Sequence, residues 1–565
     1  MRHIFAFLLA IGLGLGPALA QSAPDKVYGR HIIVAAHPLA VEAGLAMLRE
    51  GGSAADATVA AQMVLALVEP QSSGLGGGAL ALSFNRATKE VLGWDGRETA
   101  PAAAGPDLFL GRDGKPMPYQ DAAVGGRAVG VPGAVRMLEA LHRAQGKLPW
   151  ERLFAPAIQL AEGGFPVSAR LSAAIAADGD RLRRQPATRA YFFLPNGAPL
   201  PPGSILVNRA LAETLRAIAA GGADALLRGA IASDIATVVR NDPSPGLITT
   251  DDLAAISARS RPAVCGPYRT LVVCGMGPPS SGGVGVLQVL SILGHFNLAG
   301  LDPDGVDVAH LLIEAEKLAY ADRAAFLADS DFVPVPLRGL LDPAYLTARA
   351  QLVDIDRANA TPSAGNPDFR DPGLAPALPQ PEHGTSQVVV VDDLGNAVSM
   401  TTTVQDSFGS RLMVRGFLLN DELTDFAFVP AISGRKVANR VEGGKRPRSS
   451  MSPTIVFTPE GDLRIVTGSQ GGARIIGYVA QALVRMIDFG MAPRVAMAAG
   501  HIQTTGVTAE LELGTRAVEL AEGLRARGQV VSVVSLESGQ VAVAVTAEGL
   551  AGAADPRREG VVGGD

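Results

Sequence analysis

The chain has 565 residues, beyond the ~100–200 of an ordinary domain, which implies several domains or one large compound fold. Hydrophobic residues make up 47% and charged residues only 18%, a balance that excludes a disordered chain and allows a large core. The net charge of −6, with no run of Lys or Arg, argues against nucleic acid as a partner, because phosphates are neutralised by basic patches.

The first residues, Met1-Arg2-His3, are a short basic start. An apolar stretch from Ile4 to Leu15 follows, then Gly16-Pro17 and the small residues of Ala18-Leu19-Ala20. This is the pattern of a secretory signal peptide over 1–20, cleaved after Ala20. The apolar run is shorter than the ~20 residues of a membrane span. No later segment is apolar for long enough to span, so the mature chain is expected to be soluble, exported to the periplasm or the medium.

Val41, Leu45 and Leu48 recur at helical spacing over Leu39 to Leu48. Gly51-Gly52 stops that helix, and Ser53 can cap a second from Ala54 to Leu67. Ser72 to Gly78 is a tight glycine loop before a strand, Ala79 to Phe84. Trp94-Asp95-Gly96-Arg97-Glu98 supplies an arginine able to fork onto a carboxylate. A second glycine-rich turn, Gly125 to Gly133, leads into a helix over Ala134 to Ala144. Leu211 to Val239 and Val308 to Leu327 read as mainly helical. Cys265 and Cys274 flank a turn between two predicted strands. An exported chain permits a bridge; two buried free thiols remain the alternative, and no His and acid nearby suggest a catalytic thiol.

Residues 361–384 hold six prolines and no period, the mark of a loop. A strand, Ser386 to Val391, begins immediately after it, turns at Asp392 to Asn396 and returns over Ala397 to Val404. This hairpin is apolar on both faces, so layers must cover both. Strands at Phe417–Leu419, Thr454–Phe457 and Leu463–Thr467 follow, then a helix from about Ala473 to Ile487. There is no internal repeat.

Gly74 to Gly78 is a structural turn rather than a phosphate loop, since no GxxxxGK[ST] occurs. The eight histidines show no metal-ligand spacing, and neither metal nor organic cofactor is expected. The Gly384–Thr385 junction is chemically distinct. A threonine at a new N-terminus carries its own base, because an α-amine of pKa about 7.7–8.0 can accept the hydroxyl proton near neutrality. In the intact chain that nitrogen is an amide, so cleavage would create the site. Gly384 can take the strained geometry that attack by Thr385 requires. Glu422 and Asp425 lie just past a strand, Ser449 and Ser450 just before another. Thr467 to Arg474 is a glycine turn whose backbone N–H groups suit an oxyanion.

Taken in this order, these segments resemble the γ-glutamyltransferase (glutathione hydrolase) family over nearly the whole mature chain. The resemblance includes Glu50-Gly51-Gly52-Ser53-Ala54-Ala55-Asp56-Ala57, Pro70-Gln71 with its glycine loop, Pro278-Pro279-Ser280-Ser281-Gly282-Gly283, the hairpin from Thr385, and Gly552-Ala553-Ala554-Asp555-Pro556-Arg557. It implies an α+β N-terminal nucleophile hydrolase fold, a four-layer αββα sandwich. It also implies a precursor that cuts itself into a large subunit, about 21–384, and a small catalytic subunit, 385–565. By position it implies Thr385 as nucleophile, Thr403 as its supporting hydroxyl, and Gly471 and Gly472 as the oxyanion hole. Arg97, with Ser449 and Ser450, would hold the substrate α-carboxylate, and Glu422 with Asp425 its α-ammonium. Gln405 stands where an Asn commonly helps at that end. Ser386-Gln387 stands where the family usually has Thr-His, and Ala427 to Lys445 lacks the tyrosine of a covering lid. The implied partners are glutathione and related γ-glutamyl amides as donors, and water, amino acids or peptides as acceptors. Two rivals are an acylase of the same fold, cutting glutaryl-type side chains or poly-γ-glutamate, and a non-enzymatic periplasmic binding protein that would stay one chain.

Overall fold

The computed structural model describes residues 26–378, 381 and 384–565; the expected signal peptide lies outside them. Two seven-stranded antiparallel sheets form the centre. One runs in the order Val561–Gly564, Ile32–Ala35, Ser386–Val391, Ala397–Thr403, Gly78–Asn85, Glu90–Gly96, Arg259–Pro262. The other runs Val27–Tyr28, Gly549–Ala554, Val541–Thr546, Leu463–Gly468, Thr454–Phe457, Leu271–Gly275, Val264–Tyr268.

The valine run after Thr385 shows why the sheets stack. Strand side chains alternate between faces. Val388 and Val390 enter a core with the helices Pro38–Arg49, Ala54–Val68 and Ala134–Gln145. Val389 and Val391 enter a second core with the opposite sheet and the helices Gly282–Leu293 and Ile475–Ile487. All four are buried, each burial contributing roughly 1.5–3 kcal/mol. A strand apolar on both faces is thereby covered on both, giving the expected helix–sheet–sheet–helix layering.

The expected elements stand with ends shifted by a residue or two. Ser53 caps Ala54–Val68 through a reciprocal pair: Asp56 N–H donates to Ser53 Oγ at 3.2 Å, and Ser53 N–H to Asp56 Oδ2 at 2.8 Å. Cys265 and Cys274 face each other across the Val264–Tyr268/Leu271–Gly275 hairpin and are joined as a disulfide, which resolves the two alternatives. The proline-rich loop carries one short strand, Leu374–Ala375, paired with Arg435–Val437. Among the described residues no helix is long and apolar enough to cross a membrane.

Candidate active site

The junction sits where central strands of both sheets end. Antiparallel register sets Ser386 opposite Thr402, which brings Thr403 beside Thr385. Thr385 is almost wholly buried. The Thr403 hydroxyl donates to the Gly384 carbonyl at 2.9 Å and accepts from the Gln405 N–H at 2.7 Å. From the other sheet, the Gly471 N–H donates to Thr385 Oγ1 at 3.2 Å. Gly384 lies at φ +55°, and a Cβ there would stand 2.4 Å from the Gln405 carbonyl oxygen, so a larger residue would collide with backbone. Gly471 is also in the left-handed region, and a Cβ there would stand 2.6 Å from the Tyr478 ring. The turn Gly471–Arg474 then opens the helix Ile475–Ile487, and Tyr320 holds the Ala473 carbonyl.

Beside the junction is a small cavity of about 20 Å³ lined by Arg97, Thr385, Thr403, Gln405, Asp425 and Gly472, among others. Arg97 is buried, and its guanidinium reaches Glu422 and Asp425 on the turn Glu422–Asp425. It also donates to the carbonyls of Pro447 at 3.2 Å and Arg448 at 3.1 Å. The expected carboxylate and ammonium binders are therefore ion-paired with each other. A third carboxyl, Glu98, lies 3.9 Å from Arg97. Burial pushes Glu98 up to about 8 against the opposing Arg97 charge. Burial also raises Glu422 well above the carboxylate range, again opposed by Arg97.

Ser449 and Ser450 line the same cavity, but their hydroxyls are already engaged. Ser449 Oγ accepts from the Met451 N–H at 3.1 Å. Ser450 Oγ accepts from Arg323 at 2.6 Å, and Arg323 also donates to Ser281 Oγ at 2.8 Å. Ser386 donates to the buried Glu69 at 2.7 Å, while Gln387 donates to Ser399 at 3.0 Å; these two brace the strand that follows Thr385. Sequence reasoning missed Glu98 as a partner, Arg323, and Tyr119, whose hydroxyl lies 2.9 Å from Gln405 Nε2. Neither Arg323, one of several charges on the helix Val306–Phe326, nor Tyr119 left a local trace. Beyond Gly384 and Gly471 opens a larger cleft of about 770 Å³, lined in part by Arg170, Arg411, Arg474 and Arg558. Among the described residues no group of three or more His, Cys, Asp or Glu could hold a metal ion.

The gamma-glutamyltranspeptidase family model matches residues 40–564. The glutathione hydrolase proenzyme of Bacillus subtilis (strain 168) is 39% identical over 84% of this chain and 81% of its own. The acylase ACY 1 proenzyme of Pseudomonas sp. (strain SE83) is 35% identical over 94% of this chain and 93% of its own. Among solved structures, the cephalosporin acylase of Bacillus halodurans superposes with a TM-score of 0.85 at 26% identity, covering 99% of both chains. Family model and fold agree: the chain belongs to the gamma-glutamyltranspeptidase family of N-terminal nucleophile hydrolases, enzymes of hydrolase and transferase type that include both glutathione hydrolases and acylases.

Proposed function

We propose that the protein is an exported precursor that cuts itself between Gly384 and Thr385, then moves γ-glutamyl groups from glutathione and related amides to water or to amino-acid and peptide acceptors. The observation that carries this is the convergence on one peptide bond: Thr403 donates to its carbonyl oxygen, and Gly471 to the hydroxyl beside it.

In processing, the Thr385 oxygen bonds to the Gly384 carbonyl carbon. The Gly384–Thr385 C–N bond breaks, and the proton given up by the Thr385 hydroxyl ends on the departing nitrogen. Thr403 donates to the carbonyl oxygen as it gains charge. Water then hydrolyses the ester, leaving a Gly384 carboxylate and a free Thr385 amine. In turnover that amine takes the Thr385 hydroxyl proton, and the oxygen attacks the substrate γ-amide. The N–H groups of Gly471, which in the uncut chain donates to the Thr385 hydroxyl, and of Gly472 would then receive the oxyanion. The leaving amine departs protonated, and water or an acceptor amine releases the γ-glutamyl group from its Thr385 ester. Arg97 meets the substrate α-carboxylate, Glu422 and Asp425 its α-ammonium; Ser449, Ser450 and Gln405 complete the enclosure. The chains become a large subunit, about 21–384, and a small one, 385–565. The disulfide suits an oxidising compartment outside the cytosol.

A second reading has its own support. Because Arg97 is already neutralised by acidic neighbours, the cavity does not need a zwitterion to balance its charge, and glutaryl side chains could enter, as the acylase relatives suggest. Purified protein is expected as two bands, the smaller beginning Thr385-Ser386-Gln387. Its kcat/KM for γ-glutamyl-p-nitroanilide should exceed that for glutaryl-p-nitroanilide. One stable full-length band would sink both readings; preference for the glutaryl compound would install the acylase.

A further inference from the structure

We infer that Tyr119 is a specificity-determining positioning residue, which braces Gln405 and so holds the ammonium side of the cavity in register with the nucleophile. The inference rests on the γ-glutamyl reading above.

The ring is fixed independently of its hydroxyl. Tyr119 stacks on Phe428, with centroids 6.3 Å apart and planes 12° apart. Phe428 in turn stacks on Phe109 at 4.4 Å and 16°. With Leu423 and Phe426 these rings form a separate apolar cluster, so the stack grips the chain on both sides of Asp425. The Tyr119 hydroxyl is thereby delivered to Gln405 from a segment distant in sequence.

Gln405 is the hinge of the site. Its backbone lies at φ +81°, a region non-glycine residues occupy only when the surroundings hold them there. Its N–H donates to Thr403 Oγ1 at 2.7 Å, the hydroxyl that touches the Gly384 carbonyl. Its side-chain nitrogen lies 2.9 Å from the Tyr119 oxygen, 3.0 Å from Thr424 Oγ1 and 3.0 Å from Asp425 Oδ1. An amide has two N–H groups. One goes to the Asp425 carboxylate, the strongest acceptor, and the hydroxyl oxygens share the other. Burial, then Asp421 and Asp406, raises the Tyr119 phenol well above its usual range, so it stays a neutral hydrogen-bonding group. Without that oxygen the amide can turn away from Asp425, and the ammonium partner loses its fixed position.

The test is Tyr119→Phe, which keeps the stack, compared with wild type by calorimetric binding of L-glutamate and glutarate to the mature protein. L-glutamate should bind about tenfold more weakly, as for the loss of one hydrogen bond, with glutarate changed less than twofold. The KM for γ-glutamyl-p-nitroanilide should rise in parallel while kcat stays within about threefold. Gln405→Met should reproduce the shift, and adding Tyr119→Phe to it should change nothing further; Gln405→Met carries the expectation if Tyr119→Phe does not fold. Equal weakening of both ligands, no weakening, or additive effects in the double variant would overturn the inference. The wild-type ratio of the two affinities tests the γ-glutamyl reading; the change in that ratio tests Tyr119.

Discussion

Thr403 is the residue whose surroundings say most about processing. Its hydroxyl is aimed at the carbonyl of the bond proposed to be cut, and its lone pair is taken by the Gln405 N–H. Thr403→Ala removes a donor from a developing oxyanion, a loss of about 10²–10³ in rate. The smaller band should therefore appear that much more slowly on gels after synthesis. Thr403→Ser should cut near the wild-type rate, and Thr385→Ala should stay one chain. Cleavage of Thr403→Ala at wild-type speed would remove Thr403 from the reaction. At this scale the chain spelled out much of the site. Thr385, Arg97, Glu422 and Asp425 each sit in a local run that is weak alone and is singled out only by the order of the runs together, and the structure brings all four to one cavity. Their mutual pairing was not legible, because Arg97 and Glu422 meet only when distant turns fold together. Tyr119 and Arg323 were illegible for the same reason: neither stands in a local pattern different from that of an ordinary solvated or packed residue.

Among elements, the helix Val306–Phe326 carries a buried liability. Glu316 is fully buried and accepts from the Thr504 N–H at 2.7 Å. Burial pushes it up to about 8, with that N–H and Gln481 opposing. An unfolded glutamate titrates near 4.3. Between about pH 4.5 and 8 the folded chain keeps a proton that the unfolded chain has lost, so stability falls as pH rises through that window. Glu316→Gln abolishes this term, and the Gln503 Oε1, itself without a partner, offers the new amide an acceptor. The variant should melt with wild type near pH 4.5 and above it by on the order of 2 °C at pH 8. A constant gap across pH would refute the assignment. Elements with a polar face or a cap were readable in advance. Val541–Thr546 was not: its alternating Val and Ala are both apolar and show no period. Strands of two residues, such as Val27–Tyr28, have no period to show, and only pairing defines them.

Across the whole molecule, both sheets mix strands from either side of Gly384. In one, Ile32–Ala35 lies between Val561–Gly564 and Ser386–Val391. In the other, Gly549–Ala554 lies between Val27–Tyr28 and Val541–Thr546. Cut chains should therefore remain associated in native buffer and part only in denaturant. On dilution from urea, the mature protein should regain its fold with a yield that depends on protein concentration. Uncut Thr385→Ala should refold independently of concentration. Equal behaviour of the two would show that the halves find each other as readily as one chain finds itself.

That interleaving gives the cut a direction in time. While Gly384 and Thr385 are joined, closing the sheets is an intramolecular search; afterwards the same contacts must be made between separate bodies that each lack part of every core layer. The mature form would then be a product of its own history, reached easily from one side of the scission and poorly from the other. Damage that unfolds it would be harder to reverse, above all when dilute, than damage to the precursor. Two genes encoding the halves would inherit all of the residues of the site and none of the ease of assembling it.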